Sequence, residues 1–344
     1  MYGEPVTNRL LAPRRPPPSH PLDNLRLVTI RFDNQVVIVT GAGNGLGRAY
    51  AREFARRGAL VVVNDLGGTT DGRGPASAAA DFVVAEIESE GGRAVPSYDS
   101  VRDESGCRRI ADVALEAGGR IDAVVHNAGI LRNATFEEMT DERWFPVVET
   151  HLIGGFYLSR AVWPTMVDAG YGRMVFTSSA SGLWGRVQGA NYGAAKAGLV
   201  GLCNVLALEG AQYGVLANAI LPVGSTRLGG APEASDRSAA AEEIRAKART
   251  DRMAPEWVTP LVVYLASNHC DRTHRYYSSV KGRYAEVFVG VNDGWVAPGG
   301  DPPTAEELVA SLDAIEDRSR HSVPSDTFDE VAIASQLVEV RLAE

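Results

Sequence analysis

A β-branched run, Val36-Val37-Ile38-Val39, feeds directly into the glycine cluster Thr40-Gly41-Ala42-Gly43-Asn44-Gly45-Leu46-Gly47, which opens into a helical pattern over 46–57. A second apolar run, Leu60-Val61-Val62-Val63-Asn64, closes on Asp65, eighteen positions beyond Gly47. Strand, glycine turn, helix, strand and terminal acid together describe a βαβ unit built around a dinucleotide site. The glycines let the backbone turn tightly and approach a pyrophosphate at the positive end of the helix. Gly41, Asn44, Gly45, Leu46 and Gly47 are expected there, and Asp65 is expected to accept hydrogen bonds from the adenosine ribose hydroxyls. A 2′-phosphate would meet that carboxylate, and neither Asn44 nor Leu66 supplies a cation, so the expected cofactor is NAD rather than NADP. The spacing is G-x-x-x-G-x-G instead of G-x-G-x-x-G, so the acid gives the reading its weight.

The same alternation continues. Strand-like runs lie at 35–40, 60–65, 94–98, 122–126, 173–178, 215–221 and 286–291, with helical patterns at 45–57, 77–91, 104–117, 142–168, 191–212 and 256–266. Strands alternating with helices predict an α/β fold, a doubly wound parallel sheet with helices on both faces. The 344 residues suffice for a substantial core, with no internal repeat and no second domain in the pattern beyond 31–297. Residues 1–30, with Pro13, Pro16, Pro17, Pro18 and Pro21, read as a flexible arm. Residues 224–255 follow a strand end that borders the expected ligand crevice, and read as a lid or as a plain surface helix pair. Residues 271–283 read as a polar insertion, and 298–344 as a helical extension with a helix at 304–317.

A formal net charge of −9 argues against a general nucleic-acid binder. Cys107, Cys203 and Cys270 are odd in number and lack metal-ligand spacing, which predicts buried, reduced thiols and no metal site. The chain shows neither an apolar run that would span a bilayer nor the apolar core of a signal peptide, so a soluble cytoplasmic protein with a small-molecule partner is expected.

Tyr192 and Lys196 stand at i, i+4 in a helical pattern, on one face and one turn apart. A phenol with an ordinary pKa near ~10 is a poor base at neutral pH, and a fixed cation favours its phenolate. Lys196 is one of only three lysines, beside Lys247 and Lys281, in a chain that otherwise uses arginine; an ammonium at this place is therefore expected to matter. Ser179, thirteen positions before Tyr192 at the end of the run Arg173–Ser178, can hold a substrate oxygen beside the phenol.

The glycine-rich Thr40–Gly47, Asn127-Ala128-Gly129 after a central strand, and the Ser179/Tyr192/Lys196 set together resemble the short-chain dehydrogenase/reductase family over residues 31–297. The resemblance implies a seven-stranded parallel sheet and hydride transfer between a nicotinamide and a carbonyl or secondary alcohol. It implies Tyr192 as acid/base, Ser179 as the holder of the substrate oxygen, and Lys196 as the cation that lowers the Tyr192 pKa and holds the nicotinamide ribose. Asn127 and Gly129 would line the cofactor groove, Asp99 and Ser100 would border the adenine, and Pro222 and Ser225 the nicotinamide amide. It also implies a homodimer or homotetramer assembled through the helices at 142–168 and 191–212. In place of the usual relay asparagine the chain has His151, an imidazole able to hold the same water and to add a titration near neutrality.

Val61–Gly68, Tyr98–Val101, Asn127–Arg132 and Thr177–Gly182 look like the dehydrogenase unit of peroxisomal D-bifunctional (multifunctional type 2) enzymes. That likeness implies NAD-dependent oxidation of a (3R)-hydroxyacyl-CoA or a 17β-hydroxysteroid, and it fades beyond Ala207, where substrate choice resides. The competing readings are an NADPH-dependent 3-oxoacyl thioester reductase, which Asp65 opposes, and a non-catalytic NAD-binding scaffold, which has no need of the full Ser/Tyr/Lys set.

Overall fold

All residues of β1 (Val36–Thr40) and β2 (Leu60–Asn64) are buried, as strands covered on both faces must be. The computed structural model describes residues 28–67, 78–223 and 251–343. Parallel pairing extends through β3 (Arg93–Ser97), β4 (Ala123–His126), β5 (Gly172–Thr177), β6 (Val215–Val223) and β7 (Arg275–Val280). The order is β3-β2-β1-β4-β5-β6-β7-β8, where β8 (Arg283–Val287) runs antiparallel at the edge. Because β1 lies beside both β2 and β4, the chain reverses its direction of winding there. The strand ends at that switch point form the crevice in which such sheets bind ligands.

Each face of the sheet carries its own core. On one side α1 (Gly45–Arg56), α2 (Ala78–Ser89) and α8 (Thr259–Ala266) bury Tyr50, Phe54, Val83, Ile87, Val262 and Leu265. On the other, α3 (Glu104–Gly118), α5 (Gly154–Asp168) and α7 (Ala190–Gly210) bury Ile110, Leu158, Met166, Leu199 and Cys203. By length and composition one helix among the described residues, Ala190–Tyr213, could cross a membrane. Here it is a core helix, with Ala195, Leu199, Cys203 and Ala207 turned into the protein.

Three expectations change. The sheet has eight strands, not seven, and the seventh parallel strand lies inside 271–283 instead of at 286–291. Arg272, His274 and Arg275 made that segment look like a polar insertion. Yet Tyr276, Ser278 and Ser279 are buried within it, the small serines fitting under covering elements while the tyrosines suit a pleated surface. Lys281 and Gly282, both at positive φ, form the two-residue turn into β8, whose Arg283 and Glu286 blunt the sheet edge. The helix expected over 142–168 is interrupted: α4 (Asp141–Val148) passes into a π-helical turn, Glu149–Ile153, before α5 begins.

Of the proposed lid only 251–255 is described, in short 3₁₀ turns; of the arm, only 28–30. The C-terminal extension contains α9 (Ala305–Ala310), opened by a Thr304/Glu307 capping box, then α10 (Leu312–Ile315) and α11 (Thr327–Ala343). A short antiparallel pair, β9 (Val291–Asn292) with β10 (His321–Ser322), ties it back.

Candidate active site

The glycine loop leaves β1 with Gly41 at φ +64° and Gly45 at φ +55°, conformations that favour glycine. A Cβ on Gly47 would lie 2.2 Å from the Gly41 carbonyl oxygen, and one on Gly41 would lie 2.8 Å from Ala128 Cα. Backbone therefore packs directly on backbone, leaving a smooth cradle at the start of α1, which Asn44 precedes in extended conformation. Asn127 fixes the cradle from beneath, its Nδ2 donating to the carbonyls of Thr40 and Gly41, both at 3.2 Å. The Asp65 carboxylate accepts from Gly43 N (2.8 Å) and Gly67 N (2.7 Å). Each of its oxygens keeps a second lone pair for a ribose hydroxyl. These features fit the adenosine and pyrophosphate of a dinucleotide.

The other expected cofactor contacts also lie at strand C-termini. Asp99 and Ser100 follow β3; the Asp99 carboxylate is paired with Arg109 Nε at 2.5 Å, and its carbonyl receives Asn64 Nδ2 at 2.9 Å. Pro222 lies near the end of β6, paired with Ser279. Ser225 lies outside the described residues.

Ser179, Tyr192, Lys196 and His151 converge at the end of β5. Lys196 is buried, its Nζ 5.5 Å from the Tyr192 ring centroid and donating to the Thr177 carbonyl. Burial lowers its pKa to about 7. Ser178 points away from the site and donates to the Lys196 carbonyl at 2.7 Å, whereas Ser179 caps the short α6 (Ala180–Trp184). Burial pushes the Tyr192 phenol up; a hydrogen bond with Ser179 and the Arg186 charge pull it down. His151 sits edge-to-face with Tyr192, and its Nε2 lies between the Ile130 carbonyl oxygen at 2.9 Å and the Ile130 N–H at 3.2 Å, serving the first as a donor in one tautomer and the second as an acceptor in the other. Its Nδ1 is buried with no hydrogen-bond partner among the described residues. Burial, then the Lys196 charge, hold this imidazole well below its ordinary pKa, so the expected titration near neutrality gives way to a neutral ring.

Asn191 escaped notice in the sequence. It is fully buried and donates to the carbonyls of Arg132 (2.9 Å) and Arg143 (2.8 Å), while its Oδ1 accepts the Tyr192 N–H at 2.7 Å. One amide thus ties the first turn of α7 to the segment after β4. The only signal was a polar residue at the head of a helix of small apolar ones, which also suits a cap. Around this junction Ala134 bridges Gly189, and the neighbouring Phe136, Trp184 and Val187 are exposed.

Residues 35–229 match the family model described as short chain dehydrogenase. The chain is 45% identical over 286 residues to a short-chain type dehydrogenase/reductase of Mycobacterium tuberculosis, covering 83% of this chain and 95% of that one. It is 48% identical over 242 residues to the mouse peroxisomal multifunctional enzyme type 2, covering 70% of this chain but 31% of the larger protein. The solved full-length Drosophila melanogaster peroxisomal multifunctional enzyme type 2 superposes with a TM-score of 0.72 at 32% identity, over 90% of this chain and 50% of that one. With the cradle, the acid and the Tyr/Lys pair in the order this family uses, the chain belongs to the short-chain dehydrogenases, oxidoreductases that act on CH–OH groups with a nicotinamide cofactor.

Proposed function

We propose that this protein is an NAD(H)-dependent dehydrogenase of an apolar secondary alcohol, with a (3R)-hydroxyacyl-CoA as its substrate. The observation that carries the proposal is the junction of Tyr192, Lys196, Ser179 and His151 beside a cradle whose acid is Asp65. Ser179 Oγ holds the substrate oxygen against the Tyr192 hydroxyl, and Tyr192 takes the alcohol proton. Lys196, fixed by the Thr177 carbonyl, favours the phenolate while it carries its proton. His151, edge-to-face with Tyr192, holds the water that carries the proton outwards. When bound, a nicotinamide cofactor would supply the acceptor for the hydride that leaves the carbinol carbon.

NAD is favoured over NADP because a 2′-phosphate would meet the Asp65 carboxylate, while Arg48, one residue past the glycine loop, is held by Glu86 at 2.6 Å. The acyl-CoA assignment draws on a second relative from M. tuberculosis named as a hydroxyacyl-CoA dehydrogenase, 38% identical over 70% of this chain and 74% of its own length. The exposed Phe136, Trp184 and Val187 suit an apolar acyl chain. Three free, buried cysteines agree with a reducing compartment such as the cytoplasm.

The proposal also includes a homodimer or homotetramer. A groove between α5 and α7, lined by Phe156, Trp163, Pro164, Leu202 and Leu206, offers a largely apolar face for a second copy.

The test is NADH formation by purified protein on a (3R)-hydroxyacyl-CoA and a 17β-hydroxysteroid in parallel, repeated with NADP. Turnover of the thioester with NAD supports the reading, and turnover of the steroid alone replaces the substrate. Tyr192→Phe should lose about 10²–10⁴-fold in rate while still binding NAD; unchanged turnover would remove Tyr192 from its role.

A further inference from the structure

His126, the last residue of β4, is a buried titratable group for which the proposed chemistry has no use. Both of its ring nitrogens are engaged. Nε2 lies 2.8 Å from the carbonyl oxygen of His151, which accepts hydrogen bonds only, so Nε2 carries the proton. Nδ1 lies 3.5 Å from Thr40 Oγ1. That hydroxyl already accepts the N–H groups of Asn127 and Ala128, both at 3.1 Å, which leaves its own hydrogen for Nδ1. One neutral tautomer satisfies every member of the chain of bonds.

The partners give this arrangement its meaning. Thr40 is the last residue before the glycine loop, and Asn127 holds the first carbonyls of that loop. The His151 carbonyl belongs to the π-helical turn, where the wider winding displaces carbonyls from the regular i→i+4 ladder. The same turn aims the His151 ring at Tyr192. Room for the imidazole comes from Gly155: a Cβ there would lie 3.3 Å from His126 Cδ2 and 2.7 Å from Leu199 Cδ2. Helix α5 can thus start directly over the ring.

We infer that His126 is a positioning residue that clamps the π-helical turn to the base of the glycine loop, so that cofactor cradle and His151 keep one relative geometry. This inference rests on the catalytic reading of Tyr192 and His151 above. A single donor could hold the carbonyl, but only a group with a donor on one side and an acceptor on the other joins the carbonyl to Thr40.

The test compares His126→Phe, which keeps a planar ring and loses both hydrogen bonds, with His126→Gln, which keeps a donor within reach of the carbonyl. In the full chain, His126→Phe should lower kcat on the (3R)-hydroxyacyl-CoA about tenfold or more, and should weaken NAD binding severalfold in a fluorescence titration. His126→Gln should recover most of the kcat. Wild-type kcat and NAD affinity in the phenylalanine variant would overturn the inference, and so would a glutamine variant as impaired as the phenylalanine one.

Nitrogen NMR of the wild-type protein provides a measurement that needs neither a folded variant nor turnover. It should show His126 as a neutral ring protonated on Nε2 and unchanged from about pH 6 to 8. An Nδ1–H tautomer, or a titration in that range, would overturn the clamp. Failure of the catalytic reading would appear separately, as full activity in Tyr192→Phe.

Discussion

The rings of His151 and Tyr192 meet edge-to-face, their centroids 5.2 Å apart and their planes at 89°. The histidine ring could not keep this place without Gly129, where a Cβ would lie 2.2 Å from His151 Cε1. The glycine of Asn127-Ala128-Gly129 therefore makes space for the histidine. Gly129→Ala should displace the imidazole, cost about 1–3 kcal/mol in overpacking and lower kcat. Adding His151→Ala should return much of the lost stability, because the two sites share one contact. Denaturant unfolding of the two single variants and the double variant checks this; additive losses would count against it.

Asp65 fixes the glycine loop, since it accepts the N–H groups of Gly43 and Gly67, and is proposed to face the cofactor ribose as well. Asp65→Arg should lower the ratio of kcat/KM for NAD over NADP by about tenfold or more, partly by weakening NAD and partly by admitting the 2′-phosphate. Steady-state kinetics with both cofactors decides it. A ratio that stays at the wild-type value would show that Asp65 does not face the ribose.

Arg186 lowers the Tyr192 pKa, against the raising effect of burial. Alcohol oxidation needs the phenolate, and removing a nearby cation makes it harder to form. In Arg186→Gln the alkaline rise of kcat/KM for oxidation should therefore move to higher pH. A pH–rate profile superimposable on wild type would leave Arg186 without this role.

Burial lowers the Lys196 pKa from 10.5 to about 7. Between these values the unfolded chain binds a proton that the folded chain does not. This group therefore disfavours folding fully below about pH 7, and the penalty is relieved as pH rises towards 10.5. Lys196→Met removes this dependence. The gain in Tm of the methionine variant over wild type should be largest at pH 7 and shrink by about pH 9. Melting curves that shift in parallel across this range would contradict the burial of a titrating ammonium.

Leu206 lines the groove between α5 and α7, beside the exposed Phe156, Val205 and Leu208. Charged residues are strongly disfavoured in the buried centre of an interface. Leu206→Glu should convert the proposed homo-oligomer to monomers in light scattering while leaving the circular dichroism unchanged. A wild-type protein that is itself monomeric at micromolar concentration would dismiss the interface.

Much of the fold and site could be read in advance because it is local in the chain. Val36–Asp65 announces strand, turn, helix and acid through runs and spacing that need no distant partner. Tyr192 and Lys196 declare themselves by a single helical turn. β7 escaped because its neighbours decide its burial: Ser278 and Ser279 read as polar until β6 and β8 enclose them. The break in the helix at 149–153 was equally hidden. Its sequence, Glu-Thr-His-Leu-Ile, contains neither proline nor glycine, and the observed turn meets His126 twenty-five positions earlier in the chain.

By itself, then, the sequence determined the doubly wound architecture, the glycine cradle with Asp65, and the pairing of Tyr192 with Lys196. Each is carried by hydrophobic periodicity or by backbone conformations that glycine alone adopts easily. Only the tertiary structure decided that His151 meets Tyr192 as a neutral ring, that Asn191 ties α7 to the segment after β4, and that His126 joins Thr40 to a π-helical turn. Those facts depend on sheet register and on burial between segments far apart in the chain. Residue spacing records neither, because hydrogen-bond partners and desolvation exist only once the sheet has brought the strand ends together.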